Sequence, residues 1–311
     1  MSSIIRPGEV TGPVPEIPLL HLPERGTVFA RRAARLRHLG EGHSLGDYLR
    51  FLALVTDAQQ AALGAHPAVP LPDDRERRLC REHGLPPVSA TGWRRAEAWR
   101  GDLAAILTDL AGHPLPGAAA EAVARLQSSP HEVIEDQAER ILAAEPEGLD
   151  ATLVPLVAAG LQVYWTHLTS ALGAEALVRL DPPHLCPACG SRPVASVVRV
   201  GGAEQGLRYL ACPLCALQWH LVRAKCVVCD SSRALGYYAI EGGSGAVKAE
   251  ACDDCHRYVK IGYMEKDTGI EPIADDLATL ALDLLVNDAG YARFGVNPLF
   301  VPGPLEPPAL P

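Results

Sequence analysis

Residues 186–255 carry four Cys-x-x-Cys motifs: CPAC at 186–189, CPLC at 212–215, CVVC at 226–229 and CDDC at 252–255. The motifs form a tandem repeat, because shifting the first two by 40 residues places them on the last two. In each half, 22 residues separate one motif from the next. A Cys-x-x-Cys turn directs two sulfurs at one metal ion, and two such turns complete a tetrahedral shell. The sequence therefore predicts two tetrathiolate metal sites.

The predicted metal ligands are the eight cysteines of these motifs: Cys186, Cys189, Cys212, Cys215, Cys226, Cys229, Cys252 and Cys255. The repeat favours pairing of the first motif with the second and of the third with the fourth. A crossed arrangement, first with fourth and second with third, also uses all eight cysteines. All-sulfur shells suit Zn(II) or a single Fe, so the expected cofactors are two metal ions, Fe or Zn. Because four sulfurs fill each shell, the sites are typical of structural or one-electron centres.

The segments between the motifs predict β-hairpins. Residues 194–200 and 234–240 are β-prone and run into glycine-rich turns, and residues 207–211 and 247–251 lead back to the next motif. So few residues bury little apolar surface, and a bound metal would supply the missing stability. We therefore expect two tandem modules, 181–224 and 225–270.

The rest of the chain predicts helices. Apolar residues recur every 3.6 positions along 93–110, 133–142 and 153–168, and Asp181-Pro182-Pro183 ends this helical region. One further helix is expected to begin near Asp275 and to end at Gly290, before a proline-rich tail.

The predicted fold class is therefore α+β. An N-terminal all-α helical bundle precedes tandem rubredoxin-like or zinc-ribbon tetracysteine β modules, and a C-terminal helix follows them. The corresponding domains are 1–180 for the bundle, 181–270 for the tandem metal-binding modules, and 271–311 for the helix and the tail.

Charge argues against nucleic acid as a partner. The 311-residue chain has a formal net charge of −9. Four thiolates around one dication add −2, so two loaded sites would bring the total to about −13. Binding to phosphate backbones requires clustered lysine and arginine, and between residues 181 and 270 basic and acidic residues nearly balance, so no basic module lies there. Four basic residues close to the motifs are expected either to offset the charge of the first site or to lie on a solvated face: Arg192, Arg208, Arg223 and Lys225.

The apolar pattern and the cysteines predict the cellular compartment of the protein. The N-terminal residues lack the apolar core of a secretion signal, and no run of 18 uninterrupted apolar residues predicts stable membrane insertion. Closely paired cysteines favour metal over disulfides in a reducing compartment. We therefore expect a cytoplasmic protein.

Several stretches carry a family resemblance when they are taken together. They are Cys186–Pro193, Arg208-Tyr209-Leu210, Ala249–Cys252, Tyr258–Ile261, Ala274–Ala278, and Gly290-Tyr291 through Asn297-Pro298. The chain resembles the FdhE family of formate dehydrogenase accessory proteins, most densely from His184 to Pro298. The resemblance implies a cytoplasmic, non-catalytic maturation factor that binds the catalytic subunit of a respiratory formate dehydrogenase. It also implies rubredoxin-like metal modules, and it suggests that Asp275, Asp276 and Arg293 shape the structure or the surface that meets the client.

Other functions stay open at this point. Cys-x-x-Cys is also a redox motif, so a thiol–disulfide oxidoreductase is one alternative, although no thioredoxin-like pattern surrounds the motifs. A zinc-ribbon protein that binds nucleic acid and a general chaperone with paired zinc modules are two more. The sequence also leaves open whether the protein forms a homo-oligomer.

Overall fold

A computed structural model describes residues 17–145 and 147–300. The proline-rich tail expected from Pro302 onward lies outside these residues. The described part has a helical region followed by a mixed β-sheet and two C-terminal helices, which confirms the predicted α+β class.

The helical region contains seven α-helices within the described residues: α1 Val28–Leu39, α2 Gly46–Ala65, α3 Asp74–His83, α4 Ala98–Ala111, α5 Gly117–Ser128, α6 His131–Ala143 and α7 Val154–Leu172. Helix α7 is buried along nearly its whole length and packs against α2, α4 and α6. Gly160 permits a close approach to α4, because a Cβ atom there would lie 2.9 Å from the Cβ of Leu103. The last long helix ends at Leu172, before the Asp181-Pro182-Pro183 stretch.

The strands of the described residues form one sheet: β1 Leu20–His21, β2 Ala195–Val198, β3 Arg208–Ala211, β4 Gln218–His220, β5 Leu235–Tyr238, β6 Val247–Cys252, β7 Arg257–Tyr263 and β8 Ala292–Arg293. Their order is β1-β4-β3-β2-β7-β6-β5, with β8 pairing β7. Strands β2, β3 and β4 correspond to β5, β6 and β7 at the 40-residue offset. Each half is thus a three-stranded antiparallel meander that contains the predicted hairpin.

The two meanders are fused, which the sequence did not predict. Strand β2 pairs in parallel with β7, with Ala195 opposite Lys260 and Val198 opposite Tyr263. The sequence patterns also did not predict β4 and β7, the third strand of each meander. Strand β2, paired on both edges, is buried along its whole length, and the two cysteine modules belong to one continuous sheet.

The prediction of a single helix beginning near Asp275 is wrong. The structure has two short helices instead, α8 Pro272–Leu277 and α9 Leu280–Asp288. The Lys260 ammonium accounts for the interruption, because it donates to the carbonyl oxygens of Asp276 and Thr279 at 2.8 and 3.0 Å. Leu284 and Leu285 of α9 are 60% and 55% exposed.

None of the helices in the described ranges combines the length and the apolar character that a membrane span would need.

Candidate metal centres

The first and second Cys-x-x-Cys turns meet at one cluster, which we call centre one: Cys186, Cys189, Cys212 and Cys215. Its four sulfurs lie within 4.8 Å of one another. Cys186 Sγ is 3.5 Å from Cys215 Sγ, and Cys189 Sγ is 3.4 Å from Cys212 Sγ. A tetrahedral shell with metal–sulfur bonds of about 2.3 Å requires sulfur separations of roughly 3.8 Å. Centre one is therefore close to the size of such a shell.

The third and fourth turns form the equivalent cluster, centre two: Cys226, Cys229, Cys252 and Cys255. Cys226 Sγ is 3.8 Å from Cys255 Sγ, and Cys229 Sγ is 3.6 Å from Cys252 Sγ. These are the same pairs as in centre one, moved by 40 residues. The structure thus joins first with second and third with fourth motifs, and does not use the crossed arrangement.

All four turns share a backbone conformation. The residue after each second cysteine has a positive φ: Gly190 at 76°, Ala216 at 57°, Asp230 at 60° and His256 at 51°. At Gly190, Asp230 and His256 the N–H donates back to the carbonyl oxygen of the first cysteine, at 2.8, 3.2 and 2.9 Å. The sequence signalled this bend only at Gly190, because glycine alone adopts it without strain.

Backbone N–H groups also point at the sulfurs. Leu214 N and Cys215 N each lie 3.4 Å from Cys212 Sγ, and Val228 N lies 3.3 Å from Cys226 Sγ. Hydrogen bonds of this kind stabilise a thiolate relative to a thiol. These N–H groups would support the thiolate form of the sulfurs once a metal ion is bound.

The buried thiols of centre one would all ionise only with a cation beside them. Burial raises the pKa of the Cys186 and Cys212 thiols well above their usual range. Burial opposes ionisation of Cys189 too, but hydrogen bonds from the neighbouring cysteines hold the pKa of its thiol well below the usual range. A metal ion would allow all four sulfurs to ionise, since its charge offsets the mutual repulsion of the thiolates. The donor set, its dimensions and its charge all fit a divalent metal.

The two centres differ sharply in burial. All four cysteines of centre one are buried, whereas in centre two Cys229 is exposed and Cys255 is half-buried. The helical region supplies the cover of centre one. Val88 N and Ala90 N donate to the carbonyl oxygens of Ala188 and Cys189 at 3.1 and 2.8 Å.

A cavity of about 740 Å³ reaches centre one from the other side, between α1 and the sheet. Cys212 contributes to its wall, although only 1% of that residue is exposed. Arginines of the same wall are held by carboxylates: Arg32 Nε lies 3.0 Å from Glu271, and Arg35 lies 2.6 Å from Asp267.

Four basic residues were expected to offset the charge of the first site or to lie on a solvated face, and Arg208 does neither. Its side chain is fully buried and lies 2.6 Å from Glu250 of β6. It also donates to the carbonyl oxygens of Leu221 and Lys225, at 3.4 and 3.0 Å. Arg208 therefore ties β3 to the start of the third cysteine turn. Of the others, Arg192 lies over the ring of Phe294, Arg223 lies over the ring of Tyr263, and Lys225 pairs with Asp230.

The acidic pair near the C-terminus is buried. Asp275 forms an ion pair with Arg35 of α1 at 2.6 Å. Asp276 forms ion pairs with Arg293 and with the Lys260 ammonium, the latter at 3.2 Å. Burial raises the pKa of Asp275 even though Arg35 opposes that shift. These carboxylates join elements of the fold and do not form an exposed patch.

Comparison with known proteins settles the family. Models described as "FdhE, N-terminal", "FdhE, central domain" and "FdhE, C-terminal domain" match residues 17–181, 185–223 and 224–300. The chain belongs to the FdhE family. "Protein FdhE homolog" of Pseudomonas putida is 41% identical over 309 residues, covering 97% of this chain and 96% of the relative. "Protein FdhE" of Escherichia coli is 39% identical over 290 residues, covering 92% of each.

A solved FdhE structure has the same fold. The crystal structure of the FdhE protein from Pseudomonas aeruginosa is similar to this chain with a TM-score of 0.83 and 40% sequence identity. The similarity covers 92% of this chain and 100% of that one. The resemblance drawn from the cysteine spacing and the flanking motifs is thus confirmed for the FdhE family.

Proposed function

We propose that this FdhE-family chain is a non-catalytic assembly factor for a respiratory formate dehydrogenase. It acts in the cytoplasm and binds the immature catalytic subunit before that subunit is exported. The observation that carries the proposal is the family match along nearly the whole chain, helical region and cysteine modules together. A match confined to the modules would support only a generic zinc ribbon.

The eight cysteines of centres one and two are the proposed metal ligands. When bound, a metal ion would offset part of the negative charge of each cluster and fix its two turns, and iron would add the capacity for one-electron chemistry. The chain's own contribution is to hold two sulfur tetrahedra at opposite halves of one rigid sheet. Such closed four-sulfur shells favour holding or sensing a client over transforming a substrate.

The alternative functions receive less support from the geometry. Each Cys-x-x-Cys pair shares its cluster with a second pair. Metal binding would therefore occupy the thiols of both pairs and leave neither as a free dithiol for redox exchange. The net charge of −9 disfavours nucleic acid.

An anaerobic affinity purification from the native host tests the proposal. Tagged full-length protein should retain a formate dehydrogenase catalytic subunit, identified by mass spectrometry. The Cys226→Ser/Cys229→Ser variant should lose that partner, whereas Cys80→Ser should keep it, because Cys80 lies outside both centres. Recovery of nucleic acid or of unrelated thiol proteins in place of the catalytic subunit would overturn the proposal.

A further inference from the structure

We propose that the two centres have different tasks. Centre one holds the helical region to the sheet and does not exchange its ligands readily. Centre two exchanges ligands with the surroundings through Cys229. The inference deepens the proposed function and rests on its premise that both clusters bind metal. It names thiolate-bearing partners as the chemical class that reaches centre two.

The repeat provides an internal control for this comparison. Both centres use the same cysteine spacing, the same cross-turn sulfur pairs and a positive φ at the residue after each turn. Cysteine spacing and turn geometry therefore do not account for a difference in reactivity. What differs is the material packed around each cluster.

Centre one is enclosed by a segment of the helical region, residues 86–90. Val88 and Ala90 bond to the backbone of the first cysteine turn, as described above, and Trp165 of α7 holds this segment by donating to Val88 O at 2.8 Å. Pro86 closes over the turn, since a Cβ atom on Gly190 would lie 3.2 Å from Pro86 Cγ.

The second cysteine turn of centre one is held from the same side. Gln162 of α7 donates to Pro213 O at 2.7 Å, between Cys212 and Cys215. Cys212 also lines the cavity beside α1, but it is only 1% exposed, so release of a ligand from centre one waits for local opening of the structure around it. Local opening of a buried interface is slow and costly compared with fluctuations at the surface.

Centre two is covered less completely among the described residues: Cys226 and Cys252 are buried, and Ala292 N donates to His256 O at 2.9 Å beside the fourth turn, but the third turn stays open at Cys229. Cys229 is exposed and Cys255 is half-buried, and the module ends the sheet at β5. The ion pair between Lys225 and Asp230, which flanks the third turn at 2.6 Å, is itself largely exposed. An incoming sulfur can thus approach the Cys229 position without disturbing the core.

The exchange balances without an oxidant or a reductant. Cys226, Cys229, Cys252 and Cys255 would hold the metal ion. An incoming thiolate would take the place of the Cys229 thiolate, which would then accept a proton from water, and the other three cysteines would stay bound. The oxidation state of every participant is unchanged.

Chelator-driven zinc release from the full-length protein tests the inference. The protein is loaded anaerobically with Zn(II), its metal content is counted, and release to 4-(2-pyridylazo)resorcinol is followed over time. We expect one equivalent to leave at least about tenfold faster than the other, because only the slow one waits for local opening. Single-phase release of two equivalents would overturn the division of tasks. A starting content other than two would instead overturn the metal assignment on which it rests.

Matched variants identify the fast centre. Cys229→Ser should remove the fast phase and Cys189→Ser the slow one, since the two residues are equivalent at the 40-residue offset. Trp165→Phe, which frees the covering segment, should accelerate only the slow phase. Retention of the fast phase in Cys229→Ser would contradict the proposal.

Alkylation of the unmodified protein requires no variant to fold. Brief iodoacetamide treatment of the zinc-loaded protein should label Cys229 before any cysteine of centre one. Labelling of Cys186 or Cys189 first would overturn the proposal independently of the kinetics.

Discussion

Gln162, in the middle of α7, donates a hydrogen bond of 2.7 Å to the carbonyl oxygen of Pro213, inside the second cysteine turn. Gln59 of α2 in turn donates to Gln162 Oε1 at 2.8 Å, and both glutamines are buried. A chain of amide groups thus runs from the helical region to the backbone of centre one. Buried polar chains of this kind specify how two layers meet, because every member must find its partner.

Replacing Gln162 with leucine should destabilise the protein by about 1–3 kcal/mol, because Pro213 O and Gln59 Nε2 lose buried hydrogen-bond partners. Urea unfolding at neutral pH measures the loss. Gln127→Leu is the matched control: Gln127 is exposed, so its change should stay within about 0.5 kcal/mol. Equal effects of the two substitutions would show that the Gln162 bond does not matter to the joint.

Replacing Arg208 with methionine should cost about 3–5 kcal/mol, since it leaves the Glu250 carboxylate buried without its cation. Thermal and denaturant unfolding of the metal-loaded protein provide the measurement. Adding Glu250→Gln to the Arg208→Met variant should restore part of the stability, because the uncompensated charge is then removed. If the double variant lost more stability than the two single variants lose in sum, this explanation of the pair would be contradicted.

Asp275→Asn should weaken the attachment of α8 to α1. Arg35 binds Asp275 twice, Nη2 to Oδ1 at 2.6 Å and Nε to Oδ2 at 2.9 Å, and both side chains are buried. Arg35 retains Asp267, so we expect a loss of about 2–4 kcal/mol, toward the lower end for a broken buried pair. Asp288→Asn, at the exposed end of α9, is the control and should be nearly neutral.

His167 should make the fold sensitive to acid. Burial, together with nearby His66 and Arg25, lowers the pKa of His167 from 6.5 to about 4. The folded protein therefore favours the neutral ring, and its contribution is fully present above pH 6.5 and lost as the pH falls toward 4. Because the ring is partly exposed, we discount the effect to about 1–2 kcal/mol.

Unfolding curves at pH 7 and pH 4.5 measure this dependence. His167→Asn keeps an acceptor for Arg25, which donates to His167 Nδ1. Subtracting the stability of the variant from that of the parent protein isolates His167 from other histidines whose pKa is also lowered. A difference that is constant between the two pH values would contradict the assignment.

Much of the architecture could be predicted from the sequence because it depends on local patterns. The 3.6-residue periodicity indicated the helical region, and the 40-residue offset indicated two four-sulfur clusters with their hairpins. Both signals lie within short windows. The structure confirmed the α+β class and brought the expected cysteines together.

The remaining features depend on contacts between distant residues. The parallel pairing of β2 with β7 joins segments 60 or more positions apart, and no local pattern marks it. The break between α8 and α9 depends on the Lys260 ammonium, which reaches from β7. The unequal burial of the two centres depends on Pro86, Val88 and Gln162 in the helical region, so two repeats with the same cysteine spacing gave no sign of it.

The most direct test of the account is the metal content of the full-length protein and its cysteine variants, purified without oxygen and measured by elemental analysis and native mass spectrometry. We predict two metal ions per chain. One ion should remain in Cys186→Ser/Cys189→Ser, one in Cys226→Ser/Cys229→Ser, and two in Cys80→Ser. A chain that binds fewer than two ions, or a paired variant that keeps both, would contradict the two separate four-cysteine centres.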